Sequence, residues 1–459
     1  MKETRPFSMK DKIGYTLGDL GCCCTEQFRA MYLAIFYTLV LKVNPVHVGI
    51  LMLITKLWDA INDPLIGALV DSHKNKGKGK FIPWIKFFAF PTAVLCILGF
   101  VNVSNFAYGA RIAYMFITYI VYEIMYTCVS VPFGSLSSVM TDDVNQRTDL
   151  SRFRSLGGTI FMTVIVIAGP LFLYKDNQPV PSHFLIMSAI CAVIGLICLM
   201  FTSHWCKERI IAEPVTKEKE KLNYFQVIKD ITKNRALLGV MLSSFIGIVG
   251  AGMINGLNTY LFRDYFGNVA IMAVSGMLSV IWSLIAFVGT KFVAKKFGKK
   301  EWIMYSATFS VVVYAILFFF PLENPLLFII INGICYLGVS GFQVLVWALV
   351  NDAIDYQELQ TGKRNEGIVY SAYTFFRKLA NAVSGSMSSF ALAIAGFQVN
   401  EAVQNEAFSG HLWKTYTGLY VVGYLLAVLV LKFIYPLTKE KTAEMLQDLA
   451  DKRNATTAE

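Results

Sequence analysis

Charge is scarce in this chain. Asp, Glu, Lys and Arg make up 16% of its 459 residues, and 55% are hydrophobic; a soluble protein carries roughly 25% charged residues. The apolar residues come in membrane-length blocks separated by short polar loops, which excludes the two or three soluble domains this length could hold. Histidine is scarcer still, at five. No His-Glu-x-x-His motif, P-loop or Gly-x-Ser-x-Gly nucleophile elbow is present, so a membrane-embedded enzyme, the minor alternative, finds no site here. No cofactor is expected. The nine cysteines include no Cys-x-x-Cys pair with a histidine partner at zinc spacing. Cys96, Cys191, Cys198 and Cys335 lie inside apolar blocks and read as reduced packing residues, and the adjacent thiols of Cys22-Cys23-Cys24 point in different directions on a helix. No signal peptide is expected, because Met1 to Lys12 is polar and basic and the first apolar block is too long to be one.

The blocks predict an all-α polytopic membrane protein with twelve transmembrane helices. The spans fall at roughly 14–41, 46–70, 83–103, 110–139, 151–174, 183–203, 236–262, 268–292, 302–321, 325–351, 367–396 and 411–434. The net charge of +10 does not point to nucleic acid, because the basic residues fall mainly in alternate loops. Lys2, Arg5, Lys10 and Lys12 precede span 1, Lys74, Lys76, Lys78 and Lys80 follow span 2, and Lys295, Lys296, Lys299 and Lys300 follow span 8. The opposite loops hold Lys42 and Lys175, with Arg263 at an edge. Both termini are therefore expected on the cytoplasmic side of the cell membrane. Four segments result: a six-helix bundle over 1–203, a solvated cytoplasmic linker over 204–235 with the run Lys217-Glu218-Lys219-Glu220-Lys221, a second bundle over 236–434, and a cytoplasmic tail over 435–459. The halves share weak features. Gly79-Lys80 after span 2 matches Gly298-Lys299-Lys300 after span 8, and the ends of spans 4 and 10 both run into acidic then basic residues, as parallel halves of a major facilitator fold do.

The most informative segment is Trp58-Asp59-Ala60-Ile61-Asn62-Asp63-Pro64, in the middle of span 2. Two carboxylates there are costly, at about 2.5–3.5 kcal/mol each on insertion scales. Asp59 and Asp63 are four residues apart and share a helix face, and Asn62 adds a neutral oxygen beside them. Like charges this close favour a bound Na+ or Li+, or a proton on one carboxyl, and an all-oxygen donor set suits a hard cation. Pro64 releases the carbonyl of Ala60, a further oxygen for the same cavity. The competing structural reading is that Lys56, three residues before Asp59, neutralises it, which covers one acid of the two.

Lys-Leu-Trp-Asp-Ala-Ile-Asn-Asp-Pro (56–64), followed by Gly79-Lys80-Phe81-Ile82-Pro83-Trp84, resembles the melibiose permease family, the glycoside–pentoside–hexuronide:cation symporters. Tyr126-Thr127, Val131-Pro132-Phe133, Thr148 to Arg154, Asp352-Ala353-Ile354-Asp355-Tyr356 and Tyr370-Ser371 to Lys378 extend the resemblance over nearly the whole chain. It implies the major facilitator fold in two six-helix halves, alternating access, a monomer, and cation binding at Asp59, Asn62, Asp63 and Thr127. It also implies that Tyr126, Arg154 and Lys378 line the sugar cavity or link it to the cation. An ammonium deep in span 11 needs a carboxylate, and Asp59 and Asp63 are the obvious candidates for Lys378; snorkelling to an interface is the alternative. Two departures matter. The acids that accept galactoside hydroxyls in spans 1 and 4 of the melibiose permease are here Cys23 and Ser130, and a tryptophan of span 4 is here Gly134. A thiol does not replace a carboxylate as an acceptor, so the implied substrate is a sugar or glycoside other than an α-galactoside. Glu26, one turn from Cys23, either supplies the missing acceptor or pairs with Arg29. Glu123 is a second candidate, and Tyr373 offers an aromatic face. Asp71, Arg147, Asp352 and Asp355 are expected to latch a closed cytoplasmic side through exchangeable ion pairs. Distant animal relatives of the family carry lysolipids with sodium, which is the alternative substrate class.

Overall fold

The computed structural model describes residues 5–72, 79–210, 234–361, 366–401 and 404–458. Thirteen α-helices lie among them, and twelve fall on the predicted spans. In chain order these are α1 (Met9–Ile35), α2 (Pro45–Ser72), α3 (Ile82–Leu98), α4 (Tyr108–Met140), α5 (Val144–Leu173), α6 (Pro181–Trp205), α7 (Arg235–Tyr260), α8 (Ile271–Phe297), α9 (Lys299–Phe319), α10 (Pro325–Thr361), α11 (Glu366–Ile394) and α12 (Glu406–Phe433). The thirteenth, α13 (Lys439–Ala458), packs Met445 and Leu449 into a buried cluster with α7 and α10. A helix satisfies its backbone groups internally, as a hydrocarbon surround demands. Seven of the helices are long and apolar enough to cross a membrane by length and composition, namely α4, α5, α6, α7, α8, α9 and α12. Two shorter apolar stretches, Ile82–Leu98 and Pro325–Leu337, lie in α3 and α10. Large apolar side chains such as Phe87, Phe90, Leu284 and Phe319 face outward, as lipid contact requires.

The chain divides into two compact units, Met1–Lys217 with Gln398–Ala402, and Glu218–Phe397 with Val403–Glu459. Each unit repeats the other's internal plan. In the first, α1 packs on α5 and α6, α3 on α4 and α6, and α2 on α4; in the second, α7 packs on α11 and α12, α9 on α10 and α12, and α8 on α10. The first helix of each unit ends in a π-helical turn, Phe36–Val40 and Leu261–Tyr265. The third helix of each is entered through a glycine at positive φ, Gly79 at 86° and Gly298 at 104°, a conformation that favours glycine. At the first of these turns the Glu208 carboxylate accepts the backbone N–H groups of Lys80, Phe81 and Ile82 at 2.6–2.8 Å, which provides partners for the start of α3.

Two details differ from the sequence expectation. The linker begins docked rather than solvated: besides Glu208, Arg209 donates to both Asp11 carboxylate oxygens at 3.0 Å and to the Met140 carbonyl. Buried Asp11 draws these contacts because a carboxylate removed from water needs cations and donors, and Arg5 supplies another at 2.7 Å. The run Lys217–Lys221 lies outside the described residues. Between α5 and α6 a two-stranded hairpin forms, Tyr174–Lys175 against Gln178–Pro179, with Asp176 and Asn177 both at positive φ, the geometry of a tight hairpin turn.

Candidate functional site

Polar side chains of α1, α2 and α4 meet in the first unit. Asn62 is buried, and Asp59 and Asp63 are half-buried on the adjoining face of α2. The helix runs through Pro64 without ending. Thr127 Oγ1 on α4 donates to Asp63 Oδ1 at 3.3 Å, so two of the four proposed cation ligands meet across helices. Lys56 Nζ donates to Asp59 Oδ2 at 3.0 Å, and the same ammonium stands 3.7 Å from Glu123 and 4.0 Å from Glu26. Asp59 Oδ1, Glu26 Oε2 and Asn62 Nδ2 are buried and have no hydrogen-bond partner among the described residues. Of the two readings of Glu26, the pair with Arg29 does not form. The Arg29 guanidinium lies 3.6 Å from the centre of the Tyr122 ring instead, a cation–π contact that fits a fully desolvated arginine. Half-buried Tyr126 stacks parallel to Tyr122 at 5.8 Å.

A second polar group lies along the seam of α1 and α5. Arg154 Nε donates to Asp19 Oδ1 at 3.0 Å, the Gly158 N–H donates to Asp19 Oδ2 at 2.9 Å, and the Cys23 thiol lies 4.0 Å from that oxygen. Asp19 is the residue that sequence reasoning missed. The acid absent at Cys23 stands one helical turn earlier on the same face, and that four-residue spacing was the available signal. The Arg154 guanidinium also lies over the Phe133 ring at 5.2 Å. Ser130 is half-buried on α4, and a Cβ added at Gly134 would meet nothing within 4 Å. The small residue at this position therefore leaves open space.

In the second unit, Tyr373 corrects an expectation. It is 2% exposed, receives a hydrogen bond from Ser244 and meets the Trp347 ring edge-on at 5.1 Å. Its apolar neighbours enclose the ring, so it packs the unit's core and offers no face to a sugar. Lys378, five residues further along α11, is exposed. The cation beside Asp59 comes from the same helix, from Lys56.

The chain matches the family described as MFS/sugar transport protein over residues 14–439. The chain belongs to that family. Among its relatives, the uncharacterized symporter YjmB of Bacillus subtilis (strain 168) is 32% identical over 450 residues, covering 97% of this chain and 96% of that one. The isoprimeverose transporter of Lactiplantibacillus pentosus is 27% identical, covering 98% and 93%. Among solved structures, the D-xylose-proton symporter superposes with a TM-score of 0.61 at 15% identity, over 94% of this chain and 98% of that one, a likeness of fold. The protein is thus a sugar-transport member of the major facilitator superfamily, in the glycoside–pentoside–hexuronide family, a multi-pass protein of the cell membrane and not an enzyme.

Within this family fold the four gate candidates have varied surroundings. Arg147 donates to the carbonyls of Thr141 and Ser138 at 2.9 and 3.2 Å, because the last carbonyls of α4 have no intrahelical donors. Asp352 receives both oxygens' bonds from Lys299, at 2.7 Å each, within its own unit. Burial pushes the Asp352 carboxyl above its ordinary value while Lys299 opposes the shift. Asp355 lies one turn further along α10, half-buried. Asp71 sits in the last turn of α2, and its side chain is outside the described residues.

Proposed function

We propose that this family member imports a sugar or glycoside coupled to Na+, Li+ or a proton, with Asp59, Asn62, Asp63 and Thr127 as the cation ligands. The observation that supports this reading most is the bond from Thr127 to Asp63, which brings an α4 hydroxyl to an α2 carboxylate beside a second acid with a buried, unpartnered oxygen. An ion placed there lowers the electrostatic cost of the site. The Asp19–Arg154 pair, with Tyr126 and Ser130, supplies acceptors and donors suited to sugar hydroxyls, and the space at Gly134 suits a substrate shaped unlike an α-galactoside. Cation first, sugar second, then alternating access is the order in which each ligand would favour the other. The test is counterflow in proteoliposomes against a sugar panel, with and without sodium, at two pH values. Asp59→Cys is expected to abolish uphill accumulation while the protein still folds. Gradient-driven uptake that survives this change would refute the coupling role.

A further inference from the structure

Lys56 stands among three carboxylates drawn from three helices: Asp59 of α2 at 3.0 Å, Glu123 of α4 at 3.7 Å and Glu26 of α1 at 4.0 Å. The first distance is that of a charge-assisted hydrogen bond, and the other two are Coulombic only. Glu123 is buried at 4% exposed, and Lys56, Asp59 and Glu26 are half-buried beside it. One ammonium cannot satisfy one buried and two half-buried carboxylates at once, and the buried, unpartnered Asp59 Oδ1 and Glu26 Oε2 record that shortfall. Arg29, the other cation of this region, is turned onto Tyr122, and its guanidinium nitrogens make no hydrogen bond among the described residues. It therefore does not relieve Asp59. A lysine ammonium is a compact charge on a flexible stem, so a movement of about 1 Å would exchange its hydrogen-bonded partner.

We propose that Lys56 is an internal counter-cation that competes with the coupling ion for Asp59, and that Glu123 and Glu26 form the berth to which it moves when the ion binds. This inference rests on the cation-coupled reading above. An ion at Asp59 and Asp63 repels an ammonium 3.0 Å from the same carboxylate, while Glu123 and Glu26 attract it. The exchange draws α1 and α4 toward α2 through one charge. Lys56 then acts as a positioning residue that sets ion affinity, and the ion's arrival is transmitted to α1, the helix that also carries Asp19.

Calorimetric titration of Na+ and of Li+ into purified full-length protein tests this. Lys56→Gln removes the competitor and is expected to tighten ion binding about tenfold, and Glu123→Gln removes the berth and is expected to weaken it about tenfold. Lys56→Arg is expected to return affinity to within about threefold of wild type, since it restores the charge. A purely structural lysine would weaken binding on loss and leave no opposite pair of shifts. The proposal is overturned if folded Lys56→Gln binds no tighter than wild type, or if Glu123→Gln binds no more weakly. Should Lys56→Gln fail to fold, Glu123→Gln alone decides. Wild-type protein that binds neither ion also overturns it, whereas the cation-coupled reading stands or falls separately on the sodium and pH response of counterflow.

Discussion

Asp19 carries one of the heaviest polar loads of any single carboxylate in the first unit. It accepts from a guanidinium and from a backbone amide, with a thiol at longer range. Each hydrogen bond to a charged group contributes about 1.5–3 kcal/mol, so Asp19→Asn is expected to lower sugar affinity by about tenfold or more in counterflow and to leave calorimetric Na+ affinity within error. A parallel drop in Na+ affinity would place Asp19 in the ion site instead. Glu208 is the structural counterpart. Its carboxylate holds three successive N–H groups at the start of α3, and Glu208→Ala is expected to cost about 2–3 kcal/mol, read as a lower melting temperature in detergent without a change in sugar selectivity. The spacing of Asp19 from Cys23 was the one local signal for the first contact, and the second had none. Glu208 and Gly79 are far apart in sequence, and no local pattern announces that a linker acid folds back onto a loop.

The elements themselves were largely legible, because the length of an apolar block and the need to satisfy backbone groups internally leave little choice but a helix. Their seams were not. A Cβ added at Gly157 of α5 would lie 2.4 Å from the Thr16 carbonyl oxygen and 2.7 Å from the Leu20 nitrogen of α1. Both are backbone atoms and cannot turn aside. The same seam holds Lys12–Asp149 at 2.5 Å and Thr16 Oγ1 donating to the Phe153 carbonyl at 2.9 Å. Gly157→Val is therefore expected to push α1 from α5 and destabilise by about 1–3 kcal/mol or more, with loss of transport because Asp19 and Arg154 face each other one turn away. Gly134→Ala meets open space and is expected to leave thermal stability unchanged or slightly higher. Equal melting losses for the two variants would contradict this account of the seam. In the second unit a Cβ added at Gly252 or Gly256 of α7 would meet the side chains of Ser384 and Ser388 of α11, a small-residue contact suited to helices in lipid. The repeat seen faintly in the Gly-Lys loops thus reappears as repeated packing.

At the scale of the whole molecule, coupling is a reciprocal free energy. If sodium raises sugar affinity by a given factor, sugar must raise sodium affinity by the same factor. Calorimetry on wild-type protein is expected to return equal factors within error; an unequal pair would mean that the two ligands do not share one thermodynamic cycle. What the chain alone determined was the membrane setting, the helical content, the paired acids of α2 and the family. Each of these follows from composition or from residues close together in sequence, where helix periodicity and the cost of burying charge act locally. Tertiary structure alone decided that Thr127 reaches Asp63, that Lys56 serves acids from three helices, that Asp19 rather than Cys23 meets Arg154, and that Tyr373 is core. Those contacts join residues up to about 140 positions apart, and which of several polar partners a buried charge takes is set by where the helices bring them, through distance and desolvation, and not by residue type.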